Sequence, residues 1–138
     1  MIAILLSIIS YDVWFYISHV VLHMHSMYKY HSLHHQKIEP NYIDTYEGHI
    51  VEHVFQGVGV FFPCIVYTYT AQDIVLTLLF LNIRGMMRHD SRFIFLIGNH
   101  HLLHHRYSNY NFGEYWMDSL LGTAYPNTKE YRHGLLYT

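Results

Sequence analysis

Residues 2–24 read IAILLSIISYDVWFYISHVVLHM, an apolar run that passes without glycine or proline into an aromatic stretch carrying His19 and His23. As a single helix it would be about 33 Å long at 1.5 Å per residue, enough to cross a bilayer. It has neither the positive n-region nor the small-residue cleavage site of a cleaved signal peptide, so it reads as a membrane helix. Asp12 within it is costly without a partner, and the expected partner is the ring N–H of His19 or His23. Trp14, Phe15 and Tyr16 read as an interfacial belt or as the wall of a cofactor site.

A second apolar region runs from about residue 50 to 83 and is broken by Thr70, Gln72 and Asp73. Each arm is shorter than the roughly 20 residues of a standard span. The expectation is a thin or partly inserted helical hairpin with a polar tip. No Lys or Arg occurs between Lys37 and Arg84, whereas Lys29, Lys37, Arg84, Arg88, Arg92 and Arg106 lie at or beyond the other ends. By the positive-inside rule the histidine end then faces the cytosol and the Asp73 tip faces away. Short helices are expected at 28–36, 99–106 and 114–121, the last ending at Gly122, with a turn-rich stretch at 107–113. The fold class is therefore all-α: an integral membrane helical bundle with a cytosolic-facing, histidine-rich dimetal site. Residues 1–138 form a single domain. The mean hydropathy of +0.07 leaves a soluble histidine-rich bundle as the alternative.

Composition narrows the function. The chain is 51% hydrophobic and only 13% charged, so it cannot be a charge-rich disordered segment. A net charge of −2 gives no basic footprint for nucleic acid. One cysteine, Cys64, excludes an internal disulfide framework and fits a reducing compartment. The 14 histidines outnumber the 8 Lys and Arg and call for a chemical reason.

That reason lies in their spacing. His19 and His23 stand at i, i+4. HSLHH (31–35) sets out His31, His34 and His35, and HLLHH (101–105) repeats the pattern with His101, His104 and His105. On a helix each triplet shares one face and could present three imidazoles to a common point. A single metal ion takes about four to six ligands, so this set points to two ions. Imidazole suits iron, zinc, copper and nickel alike, so Zn or another divalent metal is possible beside Fe. His89 and then His49 are the next ligand candidates. His25 and His133 read as surface residues, and His53 and His100 are open either way.

Taken together, DVWFYISHVVLH (12–23), HSLHH and HLLHH resemble the fatty acid hydroxylase and sterol desaturase superfamily of membrane oxygenases. Finer features look most like its Δ7-sterol C5-desaturase (lathosterol oxidase) branch. They are NI (82–83) ahead of HD (89–90), HH (100–101), NYNFGEY (109–115) running on to DSLLGT (118–123), and GHIVE (48–52). Ile50 stands where that family commonly has proline, Val20 replaces a frequent basic residue, and the N-terminal membrane region is shorter than the family norm.

The resemblance implies two Fe ions, O2, a lipid or sterol substrate, and electrons from cytochrome b5 and its NADH reductase or an equivalent external donor. It also implies a site in the endoplasmic reticulum membrane. The function it implies is C5(6)-desaturation of a Δ7-sterol. Two alternatives stay open: hydroxylation or oxidation of another lipid (a C4-methyl sterol, fatty acyl chain or carotenoid), and a non-catalytic metal-binding relic.

Overall fold

The computed structural model describes residues 2–136; Met1, Tyr137 and Thr138, the ends of the expected 1–138 domain, lie outside the described residues. The run of apolar residues without a breaker becomes helix α1 (Ile2–Leu22). Helix α2 (Ile50–Gly57) continues directly into a 3-10 stretch, Val58–Ile65, and returns antiparallel along α1. The pairing is fixed by side chains of α1 that donate to carbonyls of the returning segment. Ser7 Oγ reaches Val60 O at 3.0 Å, Ser10 Oγ reaches Gly59 O at 2.8 Å, and Trp14 Nε1 reaches Phe55 O at 2.6 Å.

Pro63 accounts for one of these bonds. In the 3-10 geometry it has no N–H to return to the carbonyl of Val60, and the Ser7 hydroxyl supplies the missing donor. Gly59 is required by the same contact, since a Cβ there would lie 2.5 Å from the Cβ of Trp14.

Helix α3 (Ala71–Arg88) starts at Thr70, whose side chain and that of Asp73 cap each other's backbone N–H groups. Beside this tip, Tyr69 Oη donates to Ala3 O at 2.8 Å. The hairpin tip therefore sits at the first turn of α1, and His19 and His23 sit at its other end, about 24 Å away along the axis. Across the middle, Arg84 of α3 pairs with Asp12 of α1 and with Glu114, which also holds Arg88.

Helices α4 (Ile94–Ile97), α5 (His100–Arg106) and α6 (Tyr115–Leu121) complete the histidine end. No strand occurs among the described residues. The expected helix at 28–36 is instead two 3-10 turns, Tyr28–Tyr30 and His34–Gln36. Helix α6 ends at Gly122, whose φ of 72° is the left-handed cap that glycine adopts most readily.

Among the described residues only α1 is long and apolar enough to cross a membrane, and 17% of its apolar window is buried. The expected second membrane segment is shorter: its apolar helical part is Ile50–Ile65. Pro63 and the 3-10 geometry interrupt the first arm, while Asp73, Asn82 and Arg84 make the second too polar. The outward faces of all three are nonetheless apolar: Ile2, Leu5, Ile9, Val13 and Ile17; Val54, Phe61 and Ile65; Val75, Leu79 and Ile83. An apolar helix this exposed is not a soluble core helix, and three such faces side by side fit contact with lipid.

Gly59→Ala should overpack the Trp14 contact and cost about 1–3 kcal/mol. A lowered thermal midpoint in detergent, read by circular dichroism, checks it; an unchanged midpoint would mean that α1 and the returning segment are not packed this closely.

Candidate metal centre

A histidine that serves a metal usually has its other ring nitrogen held, because that second contact sets tautomer and orientation. Here the Nδ1 atoms of six histidines are so held. Five donate to backbone carbonyls: His19 to Phe112 at 2.5 Å, His34 to Glu47 at 3.0 Å, His89 to Gly85 at 2.8 Å, His104 to Tyr110 at 2.6 Å and His105 to Lys37 at 3.2 Å. The sixth, His31, meets Glu52 Oε1 at 2.8 Å. A carbonyl can only accept, so the proton sits on Nδ1 and the Nε2 lone pair is free.

Those Nε2 lone pairs converge on two points. His19, His23, His31, His35 and His104 form one group, and His34, His89, His101 and His105 form the other. Within each group the ligand atoms lie within 4.8 Å of one another. The Nε2 atoms of His19 and His31 are 2.9 Å apart in the first group, and those of His34 and His89 are 3.1 Å apart in the second. In the His34–His89 pair both Nδ1 protons are fixed by carbonyls, so lone pair faces lone pair. Only a cation between them relieves that repulsion. His105 Nε2 is likewise buried without a hydrogen-bond partner. The donor set is all imidazole, which suits iron and other first-row divalent ions.

The histidine triplets do not each converge on one point, as their spacing had implied. His31 and His35 serve the first group and His34 the second; His101 and His105 serve the second and His104 the first. Each triplet gives its i and i+4 rings to one centre and its i+3 ring to the other, and the two triplets do so in opposite senses.

Burial keeps these rings neutral. Desolvation first, then neighbouring imidazoles, holds His35 and His89 at about 3, far below the usual range. His31, His34, His101, His104 and His105 are lowered for the same leading reason. All seven offer lone pairs rather than protons at neutral pH.

The loop at 109–113 is shaped to aim two of the carbonyls. Asn111, buried with φ 60°, donates to His100 O and accepts from Tyr125 N and Tyr131 Oη. Asparagine tolerates this left-handed backbone better than most residues. Asp118, fully buried, accepts from the N–H of Phe112 and Gly113, from Thr123 Oγ1 and from His100 Nε2. His100 therefore braces the loop and belongs to neither group. His25 and His133 are exposed, as expected, and His53 is half-buried beside Gly48.

Two expectations are corrected. Asp12 does not hold His19 or His23: it forms a two-point pair with Arg84, because a buried guanidinium is the stronger partner and Phe112 O already takes the His19 proton. His49 joins neither group; its Nδ1 accepts from Val51 N at 3.1 Å and caps α2. Sequence reasoning placed Glu52 in a family-like element without giving it a role. It also missed the carbonyls, which leave no mark in the identity of their own residues.

A cavity of about 340 Å³ borders the second group. Tyr11, Phe15, Val60, Leu78 and Leu81 line its apolar side, and His34, His89 and His101 reach it from the metal side. Its polar wall includes Glu52, Gln56, Asn82 and the already paired Arg84.

Two buried histidine groups, each able to hold a metal ion, stand at the end of an apolar helical bundle. The family model for fatty acid hydroxylase matches residues 4–123, and the chain belongs to that family. Membership indicates an oxidoreductase of the lipid hydroxylase and desaturase type, and the two histidine groups are compatible with its metal centre. Comparison with curated proteins and with solved structures gives no match.

Elemental analysis of the purified chain should find two metal ions, one for each group. His89→Ala and His104→Ala should each lose metal, whereas His49→Ala should keep both ions and lose only its cap, about 1 kcal/mol of stability. Full metal content in the first two variants would refute the ligand assignment.

Proposed function

We propose that this chain is an O2-dependent membrane oxidoreductase acting on a lipid, and specifically that it introduces the C5(6) double bond into a Δ7-sterol at a histidine-ligated di-iron centre. The observation that carries the reading is the cavity, which joins the apolar flanks of α1, the returning segment and α3 to three histidines of one metal group. The sterol reading draws on the elements at 82–90 and 109–123. Asn82 lines the cavity, and the 109–113 loop orients His19 and His104.

The residues named as ligands are His19, His23, His31, His34, His35, His89, His101, His104 and His105. When bound, the metals with O2 and two external electrons supply the oxidant; two protons are taken up, two vicinal hydrogens leave the lipid and two waters form. The chain itself binds and aligns. Phe15, Val60 and Leu81 hold the hydrocarbon against the histidine end and exclude water, a proximity effect that places one C–H bond beside the site. Lys29, Lys37, Arg92 and Arg106 at the histidine end support a cytosolic orientation. That placement, in the endoplasmic reticulum membrane, would let cytochrome b5 and its NADH reductase or an equivalent donor deliver electrons from water while the lipid enters laterally.

The test is a sterol profile by gas chromatography and mass spectrometry in a yeast strain lacking its own C5-desaturase. Appearance of the Δ5,7-diene supports the reading. Protein present in membranes with both metals and no diene overturns it, and a hydroxylated lipid in its place moves the reaction to hydroxylation. Gly57 provides a steric check, because a Cβ there meets nothing within 4 Å and the residue lines the cavity. Gly57→Phe should cut turnover at least tenfold with metal content unchanged, about 1.4 kcal/mol or more of lost transition-state stabilisation.

A further inference from the structure

Among the six histidines whose Nδ1 is held, His31 alone is held by a carboxylate. Its partner Glu52 is 2% exposed, stands in the first turn of α2 and reaches the first histidine group from outside it. Room for the carboxylate comes from Gly48: a Cβ at that position would lie 3.0 Å from Glu52 Oε2 and 3.0 Å from the His53 ring. His31 in turn occupies the middle of its group, with Nε2 at 2.9 Å from His19 Nε2 and 3.0 Å from His35 Nε2. The second group contains no such pair: the Nδ1 atoms of His34, His89 and His105 all rest on backbone carbonyls.

We propose that Glu52 is a positioning residue that orients His31 and makes it the most electron-donating ligand of the site, so that the five-histidine centre is chemically distinct from the four-histidine centre. A carboxylate accepts the Nδ1 proton more strongly than a carbonyl does and transfers more electron density to Nε2. A carboxylate this deeply buried is costly alone, and a divalent cation on the far side of His31 supplies the compensating charge through the ring. The five-histidine centre therefore holds its ion more tightly. The four-histidine centre, which faces the cavity through His34, His89 and His101, carries the less electron-rich ligand set. The proposal rests on the metal-centre reading but not on the identity of the lipid.

The experiment is a Co2+ titration of the metal-free full-length chain in detergent, followed by ligand-field absorption, with thermal unfolding of the metal-free protein in parallel. Wild type should take up two Co2+ in two distinguishable steps. Glu52→Gln keeps the size and an acceptor oxygen but loses the charge; it should weaken the tighter step about 10–100-fold and shift its absorption, leaving the other step and the metal-free melting unchanged. Glu52→Asp, which keeps the charge but shortens the reach, should recover part of the affinity. Gly48→Ala should act like Glu52→Gln by displacing the carboxylate. Unchanged affinity and absorption in Glu52→Gln overturn the proposal. So does a loss matched by equal destabilisation of the metal-free chain, since the role is then structural. Fewer than two Co2+ in the wild type overturns the metal-centre reading beneath it.

Discussion

Neutral imidazoles repel when their lone pairs face one another, and this chain gathers nine of them in two groups, six with the outer ring nitrogen held. Everything at the histidine end serves to impose it. Carbonyls from separate segments take the outer ring protons: Lys37 and Glu47 from the loop before α2, Gly85 from α3, and Tyr110 and Phe112 from the loop after α5. That last loop is in turn held by Asp118 and Asn111, neither of which touches a metal-facing atom. Because the arrangement is unfavourable without a cation, metal binding and the ordering of these segments are thermodynamically linked, and part of the binding energy is folding energy.

The helical frame solves a different problem, which is to carry this polar end on an apolar body. The buried charges in the middle of the bundle compensate one another, with Arg84 and Arg88 set against Asp12 and Glu114. The cavity wall they border therefore has no excess cation. The serine hydroxyls on α1 act by the same rule at smaller scale, donating to two carbonyls, one of them left open by Pro63, in a segment whose outer face is apolar. The charged groups in the middle of the bundle are each matched to a named partner, while the outward faces of the helices carry little but hydrocarbon.

Much of this was legible in the residues. The apolar run at 2–24, the polar tip at Thr70 and Asp73, the helix at 100–106 and the Gly122 stop all follow from local patterns that the structure keeps. Eight of the nine histidines in the two groups were legible as candidates because imidazoles at i, i+3 and i+4 are rare unless something uses them, and His89 followed from its place after α3. Partnerships over long sequence distances were not legible. Asp12 was matched to the nearest histidines along its own helix, because nothing in the sequence brings Arg84, 72 positions away, to its side. His49 resembled a ligand because an imidazole lone pair can accept from a backbone N–H as well as bind a metal, and only the fold decides which it does. Backbone acceptors were invisible, since every residue carries a carbonyl and only the fold decides which one is aimed.

The split of each triplet between two centres has a simple geometric origin, clearest in α5. At about 100° per residue, His105 lies about 40° from His101 around the helix, while His104 lies about 60° away on the other side. Rings 100° apart, as those of His104 and His105 are, cannot both point at a single ion, so one helix turn carrying this triplet is bound to serve two. His101 joins the nearer of its neighbours, His105, and His104 is left to the other centre. The triplet at 31–35 faces it with the opposite allocation, so each centre receives two rings from one triplet and one from the other. The remaining histidines then decide the asymmetry: α1 and the residue after it contribute His19 and His23 to one group, and α3 is followed by the single His89 at the other. The five-to-four division is thus a consequence of an i, i+4 pair on the membrane helix meeting a lone histidine on the hairpin, and the centre left with fewer ligands is the one that the apolar cavity reaches.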